Sequence, residues 1–293
     1  MCGAAHDSAK LFLEENIDSS RLSEFSFASR KQPEYMCHRL VQCQVCDLVY
    51  VPYPPGQDEL AAAYHNADYD SSEEGNDAAA AYLRAIRAVL VRLPRRQSAL
   101  EIGTGTAVFL EHLQQSGFEQ LVGVEPSTAA IAAAPMHRRA WIRQGIFVES
   151  DFPPESFDLI CCFMTMEHVA DPAQITSAAM RLLRPGGALV TVTHDYRSLV
   201  NRLLGKKSPI IDIEHMQLFS ARSISYLFEK SGYQNVSVQK FPNTYAMRYW
   251  LRLAPLPDRR KAALTSLLAK LGLDGVKLSF NVGNSLAAGF KPG

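Results

Sequence analysis

The sequence predicts an α/β fold, a largely parallel sheet with helices on both faces. Two segments and the bulk composition carry that prediction. In Ala99-Leu-Glu-Ile-Gly-Thr-Gly-Thr-Ala107, Leu100 and Ile102 read as a buried strand and Gly103 and Gly105 as a tight turn; from Ala107 to Leu113 the apolar spacing is helical. Leu121-Val-Gly-Val124 is a second short apolar run, closed by Glu125. The 293 residues are 47% hydrophobic and 20% charged, enough to bury one large core and leave an appendage.

Along the chain, residues 1–56 form a distinct N-terminal piece, rich in Cys, Tyr and Pro and poor in helical periodicity. Pro52-Tyr-Pro-Pro-Gly56 separates that piece from the rest of the chain. Residues 58–65 read as a short helix and 64–76 as a polar, tyrosine-bearing loop. Asn76 or Asp77 can cap a helix over 78–93, closed by Pro94. The α/β core runs over 98–241, with a short third strand near 140–143. Residues 242–279 interrupt it with amphipathic helices over 245–253 and 259–271, and 278–291 returns as a strand or hairpin broken at Gly283-Asn284. The expected units are 1–56, a lid and leading helix at 57–97, the core at 98–241, the insertion at 242–279 and a final strand at 280–293.

Strand, Gly-x-Gly turn, helix, strand and acid make a nucleoside half-site. Glycines let the backbone approach a ligand, and an acid roughly 20 residues on accepts from ribose hydroxyls. Gly103-Thr-Gly105-Thr-Ala-Val108 lacks the third glycine of the dinucleotide fingerprint, and Glu101 would repel a pyrophosphate. A carboxylate there suits a ligand bearing a cation. S-adenosylmethionine (SAM) carries an ammonium and a sulfonium, so it fits better than NAD; an NAD-dependent oxidoreductase is the rival reading.

Glu-x-Gly-x-Gly with an acid closing the second strand resembles the class I SAM-dependent methyltransferases. Ser156-Phe-Asp-Leu-Ile-Cys-Cys-Phe163 is similar to that family's fourth strand. Met164-Thr-Met-Glu-His-Val-Ala-Asp-Pro172 resembles the Glu-His-Val-x-Asp-Pro segment of small-molecule methyltransferases, ubiquinone-type O-methyltransferases among them. Leu182-Leu-Arg-Pro-Gly-Gly-Ala-Leu-Val190 resembles the Leu-x-Pro-Gly-Gly turn into the fifth strand, and His215-Met-Gln-Leu-Phe-Ser220 the late His-x-x-x-Phe-Ser segment. The resemblance spans residues 60–241. It implies a Rossmann-like, mostly parallel seven-stranded sheet with an antiparallel final strand, plus a small N-terminal appendage.

The resemblance also implies roles. The backbone at Gly103, Thr104 and Gly105 would lie along the methionine moiety, with Glu101 orienting its amino group and Glu125 on the ribose hydroxyls. Ile146 and Phe147 would contact adenine, and Phe163 and Met164 would lie near the sulfonium. Tyr64 and Tyr69 would form part of a lid, or staple onto the core. Methyl transfer needs an aligned nucleophile and, for a hydroxyl, a group to take its proton. His215 and His168 are the leading candidates for that base, ahead of His194 and His112. Glu167-His168 contributes to a metal site in ubiquinone-type enzymes, but Met164 replaces their upstream carboxylate here, which argues against a catalytic magnesium.

Cys43-Gln-Val-Cys46 has the spacing of a zinc half-site. Similar enzymes pair it with an earlier cysteine pair, of which Cys2-Gly3 resembles the end. Cys2, His6, Cys43 and Cys46 are therefore a candidate structural zinc set, with Cys37 another route and metal-free reduced cysteines the alternative. Cys161 and Cys162 lie in a core strand as small buried hydrophobes.

Thirty Lys plus Arg balance 30 Asp plus Glu, so no overall field favours nucleic acid or an acidic membrane. No apolar run is long enough to span a bilayer, and residues 1–7 carry no signal-peptide pattern. The expectation is a cytoplasmic enzyme with a small-molecule acceptor. Residues 1–75, 196–214 and 242–279 should build the acceptor pocket, from Tyr196, Tyr245, Tyr249 and Trp250 beside Arg197, Arg202, Lys206, Lys207, Arg248 and Arg252. That mixture points to O-methylation of a sugar-containing or natural-product scaffold. C- or N-methylation and non-catalytic SAM binding are the alternatives. The oligomeric state stays open, a homodimer being one option.

Overall fold

The computed structural model describes residues 2–4, 8–22, 26, 35–65, 72–254 and 256–293. Where the sequence showed little periodicity, a small antiparallel sheet forms from β1 (Lys10–Leu13), β2 (Leu40–Gln42) and β3 (Val49–Tyr50). The Cys43–Cys46 turn joins the last two. Helices α1 (Gln57–His65), α2 (Ser72–Ala85) and α3 (Arg87–Arg92) come next. The single helix expected over 78–93 is thus two, and it starts earlier. The break is one residue, Ile86, at φ −87° and ψ 1°, with hydrogen bonds to Tyr82 O and from Leu90 N kept on either side. Pro94 ends it by forcing Leu93 into extended backbone.

The core sheet holds β4 (Ser98–Ile102), β5 (Gln120–Glu125), β6 (Ile142–Gln144), β7 (Phe157–Phe163), β8 (Leu183–His194), β10 (Gln234–Lys240) and β13 (Asn284–Phe290), in the order β10-β13-β8-β7-β4-β5-β6. Strands β4 to β8 are parallel, and β13 runs antiparallel to both of its neighbours. Helices α4 (Val108–Gln115), α5 (Thr128–Ala133), α6 (Met136–Arg139), α7 (Pro172–Leu182), α8 (Leu199–Leu204) and α9 (Ala221–Lys230) complete the layers. All seven residues of β7 are buried, as expected of a central parallel strand covered on both faces. Cys161 packs into the core on one face and Cys162 into the core on the other.

Asp158 explains why a carboxylate sits inside that strand. It accepts from the backbone N–H of Gln97 (2.9 Å) and Ser98 (3.0 Å) and from Arg184 Nη1 (3.2 Å), which locks β7 to the start of β4 and to β8. The Pro-Gly-Gly segment is not a turn before β8 but its irregular beginning. A Cβ at Gly187 would sit 2.9 Å from Arg184 O and 3.0 Å from Asp158 O, so only glycine fits.

The segment between β8 and α9 reaches back to the appendage. There β9 (Gln217–Leu218) pairs with β3, making the small sheet four-stranded. The insertion is also more than helices. Strands β11 (Asn243–Ala246) and β12 (Lys277–Phe280) pair at its root and enclose α10 (Met247–Leu253) and α11 (Asp258–Lys270). No helix among the described residues is long and apolar enough to cross a membrane.

Candidate active site

A cavity of about 440 Å³ opens at the carboxyl ends of β4, β5, β7 and β8, where ligands bind in open α/β sheets. Its wall includes Glu101, Gly103, Thr104, Gly105, Glu125, Ile146, Phe147, Phe163 and Met164, and at the opposite end His168, His194 and His215. Residues from six sequence segments therefore share one enclosure. Tyr69 and His6 lie outside the described residues.

At the first end the chain turns sharply after β4. Gly103 N and Thr104 N both donate to Val124 O, at 2.9 and 3.1 Å, which pins the turn against β5. Gly103 (φ +76°) is crowded, since a Cβ there would collide with the Thr165 side chain. Gly105 (φ +55°) is the opposite case, with no atom within 4 Å of a Cβ position, so its backbone is bared to the cavity. Met164, closing β7, also holds a left-handed φ of +52°, a conformation costing about 1–2 kcal/mol in a non-glycine residue.

Two buried carboxylates flank this turn. Burial, with Glu125 nearby, pushes the Glu101 carboxyl up to about 8, against the opposing hydrogen bond from Thr104 Oγ1. Burial also raises Glu125, although it accepts from Gly105 N at 2.7 Å and Ser127 N at 2.9 Å. A buried carboxylate that is costly to ionise becomes favourable once a cation or a set of donors arrives. The bared glycine backbone and the two acids therefore fit SAM, which offers an ammonium and a ribose diol.

At the second end backbone carbonyls set the tautomers of His215 and His168. His215 Nδ1 lies 2.8 Å from Ile210 O; a carbonyl only accepts, so Nδ1 carries the proton and Nε2 the lone pair. His168 Nδ1 is 3.2 Å from Glu214 O and 3.0 Å from the Tyr64 hydroxyl, which fixes the same tautomer. Burial lowers the proton affinity of both rings and favours their neutral forms. Glu167 is fully buried, and its Oε1 accepts from the His194 backbone N–H (2.8 Å) and ring Nδ1 (2.9 Å). Its Oε2 has no hydrogen-bond partner among the described residues. Burial would raise this carboxyl, but the facing His194 ring and its hydrogen bond to Oε1 outweigh it and hold it below the usual range. Donor atoms of Glu167, His168 and His215 lie within 4.8 Å of one another, a set able to hold a metal ion even without the upstream carboxylate that Met164 replaces.

The acceptor wall corrects one expectation. Tyr245, Tyr249 and Trp250 line the cavity, but no Lys or Arg does so among the described residues. Tyr196 turns away instead, into the core of the appendage. Its hydroxyl bonds to Asp47, which also accepts from Arg197 Nε (2.6 Å), Ser220 Oγ (2.7 Å) and Gln42 Nε2 (2.8 Å). The basic residue expected beside the acceptor, Arg197, is thus a strap between appendage and core. Asp212, Glu214, Asn243 and Asn284 also line the cavity, although no motif pointed to them. Asp212 and Glu214 come with the turn that carries His215, whose backbone N–H donates to Asp212 O at 3.2 Å, whereas Asn243 and Asn284 reach it through long-range packing.

The thiols of Cys2, Cys43 and Cys46 also lie within 4.8 Å of one another, with Cys2 Sγ 3.5 Å from Cys43 Sγ. Burial pushes the Cys46 thiol up to about 12, whereas backbone and thiol hydrogen bonds bring Cys43 below its ordinary value despite burial.

A family model described as a methyltransferase domain matches residues 75–238. The ubiquinone biosynthesis O-methyltransferase of Pseudomonas fluorescens (strain Pf0-1) is 25% identical over 178 residues, 58% of this chain and 68% of that protein. Its counterpart in Rhodopseudomonas palustris (strain TIE-1) is 30% identical over 112 residues, 36% of this chain and 44% of that protein. The chain spans about half the length of several such relatives, as with strain SBW25 of P. fluorescens, where 26% identity covers 37% of this chain and 50% of that protein. Among solved structures, a SAM-dependent methyltransferase of Thermotoga maritima, named a possible histamine N-methyltransferase, superposes with a TM-score of 0.50 at 22% identity over 74% of this chain and 91% of that one. At that identity the likeness is one of fold.

Proposed function

This chain belongs to the methyltransferase-domain family, and from that premise we propose that it moves the methyl group of SAM to a hydroxyl of a small-molecule acceptor. The observation that supports this is a single cavity with a bared glycine turn and two acids at one end and two neutral, tautomer-fixed imidazoles, His215 and His168, at the other. Bound SAM supplies an electrophilic methyl carbon. Glu101 receives its ammonium, Glu125 its ribose hydroxyls, and Ile146 and Phe147 flank its adenine. Phe163 and Met164 exclude water beside the sulfonium. His215 Nε2 takes the proton of the acceptor hydroxyl as the oxygen becomes nucleophilic, while its Nδ1–H stays on Ile210 O. His168, tied to Tyr64, orients the acceptor.

Relatives named for O-methylation in ubiquinone biosynthesis support a hydroxyl as the acceptor group. An aromatic wall without Lys or Arg among the described residues favours an uncharged natural-product or glycosylated scaffold over a phosphorylated one. We further propose a structural zinc on Cys2, Cys43 and Cys46, with His6 as fourth ligand. The three-thiol cluster supports it, and zinc would hold these sulfurs as thiolates. A metal assay on protein purified without added zinc should give about one equivalent; zinc below about a tenth of that in intact protein removes the proposal.

The decisive experiment is parallel calorimetric titration with SAM, S-adenosylhomocysteine and NAD, then an acceptor screen that reads S-adenosylhomocysteine formation. Saturable binding of the first two and none of NAD is expected. Binding of NAD alone overturns the reading.

A further inference from the structure

Eight of the fifteen large apolar side chains exposed among the described residues fall in two short stretches, α8 and residues 264–280. On α11, Leu264, Leu267 and Leu271 share one face, because spacings of three and four stack side chains over one another. Leu267 is 51% exposed and Leu271 61%. The helix packs on α10 and on little else. From Asp258 to Asp274 the chain carries Arg259, Arg260, Lys261 and Lys270 against one acid at each end. Arg259, Arg260 and Lys270 form no ion pair among the described residues. Helix α8 repeats the composition: Leu199 and Leu203 are 71% and 77% exposed, with Arg202, Lys206 and Lys207 in the same short segment.

Both stretches adjoin the cavity. Tyr249, Trp250 and Leu253 of α10 line it, and Lys261 Nζ of α11 donates to Arg252 O at 2.8 Å. Pro209 and Asp212, just after α8, line it too.

We propose that α11 and α8 dock this protein on an anionic lipid surface, lying in the headgroup plane without crossing it, and that the acceptor enters the cavity from that surface. The chemistry matches. Leucines bury in the acyl boundary, Arg and Lys meet anionic headgroups, and their aliphatic stems lie along the apolar layer. A second copy of the chain fits less well, because a two-fold contact sets each net-positive stretch against itself. The delivery of acceptor rests on the proposed methyl transfer; the docking does not.

The test is co-sedimentation of the full chain with vesicles of phosphatidylcholine alone and with about one-quarter phosphatidylglycerol, at low and at about 0.15 M salt. Binding to the anionic vesicles should be at least about tenfold stronger and weakened by salt. Leu267→Glu with Leu271→Glu, and separately Leu199→Glu with Leu203→Glu, should reduce it with melting temperature and SAM binding unchanged. Failure of wild-type protein to sediment with anionic vesicles overturns the proposal. So does a dimer, seen by light scattering, that the same leucine substitutions dissolve. SAM affinity is read on the same samples, so a failed cofactor reading shows as absent SAM binding with vesicle binding intact.

Discussion

Single atoms decide most of what this cavity can do. With Nδ1–H committed to Ile210 O, His215 has one free nitrogen, and burial keeps it unprotonated near neutrality. His215→Asn keeps a donor for that carbonyl but no base. It should lower kcat by about 10²–10⁴-fold with SAM affinity and melting temperature little changed; equal turnover removes His215 from the mechanism. Glu101, with a carboxyl pushed up to about 8, is mostly protonated at pH 7 until a cation arrives. SAM binding at pH 7 should then release protons, seen as a dependence of the calorimetric enthalpy on the buffer's ionisation enthalpy. Glu101→Gln should abolish that dependence, and a buffer-independent enthalpy in wild type would refute the assignment. The types and order of these residues were legible in the sequence. The Ile210 carbonyl and the orphaned Glu167 Oε2 were not, because tautomers and unpaired atoms arise from tertiary contacts.

Between elements, the strap at Asp47 carries the largest concentration of polar contact. Its carboxylate joins the β2–β3 turn to the loop after β8 and to the cap of α9. Burial alone would raise it, but the hydrogen bonds from Arg197, Ser220, Tyr196 and Gln42 bring the carboxyl down to about 2 from 3.8. A folded pKa below the unfolded one stabilises above the unfolded value, so this contribution is present above about pH 4 and disappears as pH falls toward 2. Its size is about 2 kcal/mol. Asp47→Asn should lower the melting temperature by roughly 4–8 °C at pH 7 and by about half as much at pH 3, and expose residues 35–50 to proteolysis. An unchanged melt at both pH values would show that the appendage is held by its apolar core alone. Periodicity missed this whole unit because strands of two to four residues are too short to display a period. The helix expected over 78–93 erred for a related reason, since hydrophobic spacing survives a one-residue kink at Ile86.

At the scale of the molecule, the parallel sheet and its glycine turn were legible because each motif is local and their order is strict. The β-ribbon at the root of the insertion was not, since β11 and β12 are 30 residues apart and meet only in three dimensions. A ligand that bridges β4, β5 and β7 should stabilise the whole core: SAM at about 100 times its Kd adds about 2.7 kcal/mol, a rise in melting temperature of roughly 5–10 °C. NAD at the same concentration should add nothing, and an equal rise with NAD would return the site to a dinucleotide. The strand order has a further consequence, for synthesis. Strand β13 fills the slot between β8 and β10, so two ladders wait for residues made roughly 90 positions after β8. On a ribosome adding 5–20 residues each second, that delay is roughly 5–18 s. Through it the unpaired flank of β8, with Leu189, Val190 and Val192 in sequence along it, is the nascent chain's main hazard for pairing with a neighbour, and a cell would have to shield it until Phe290 has emerged.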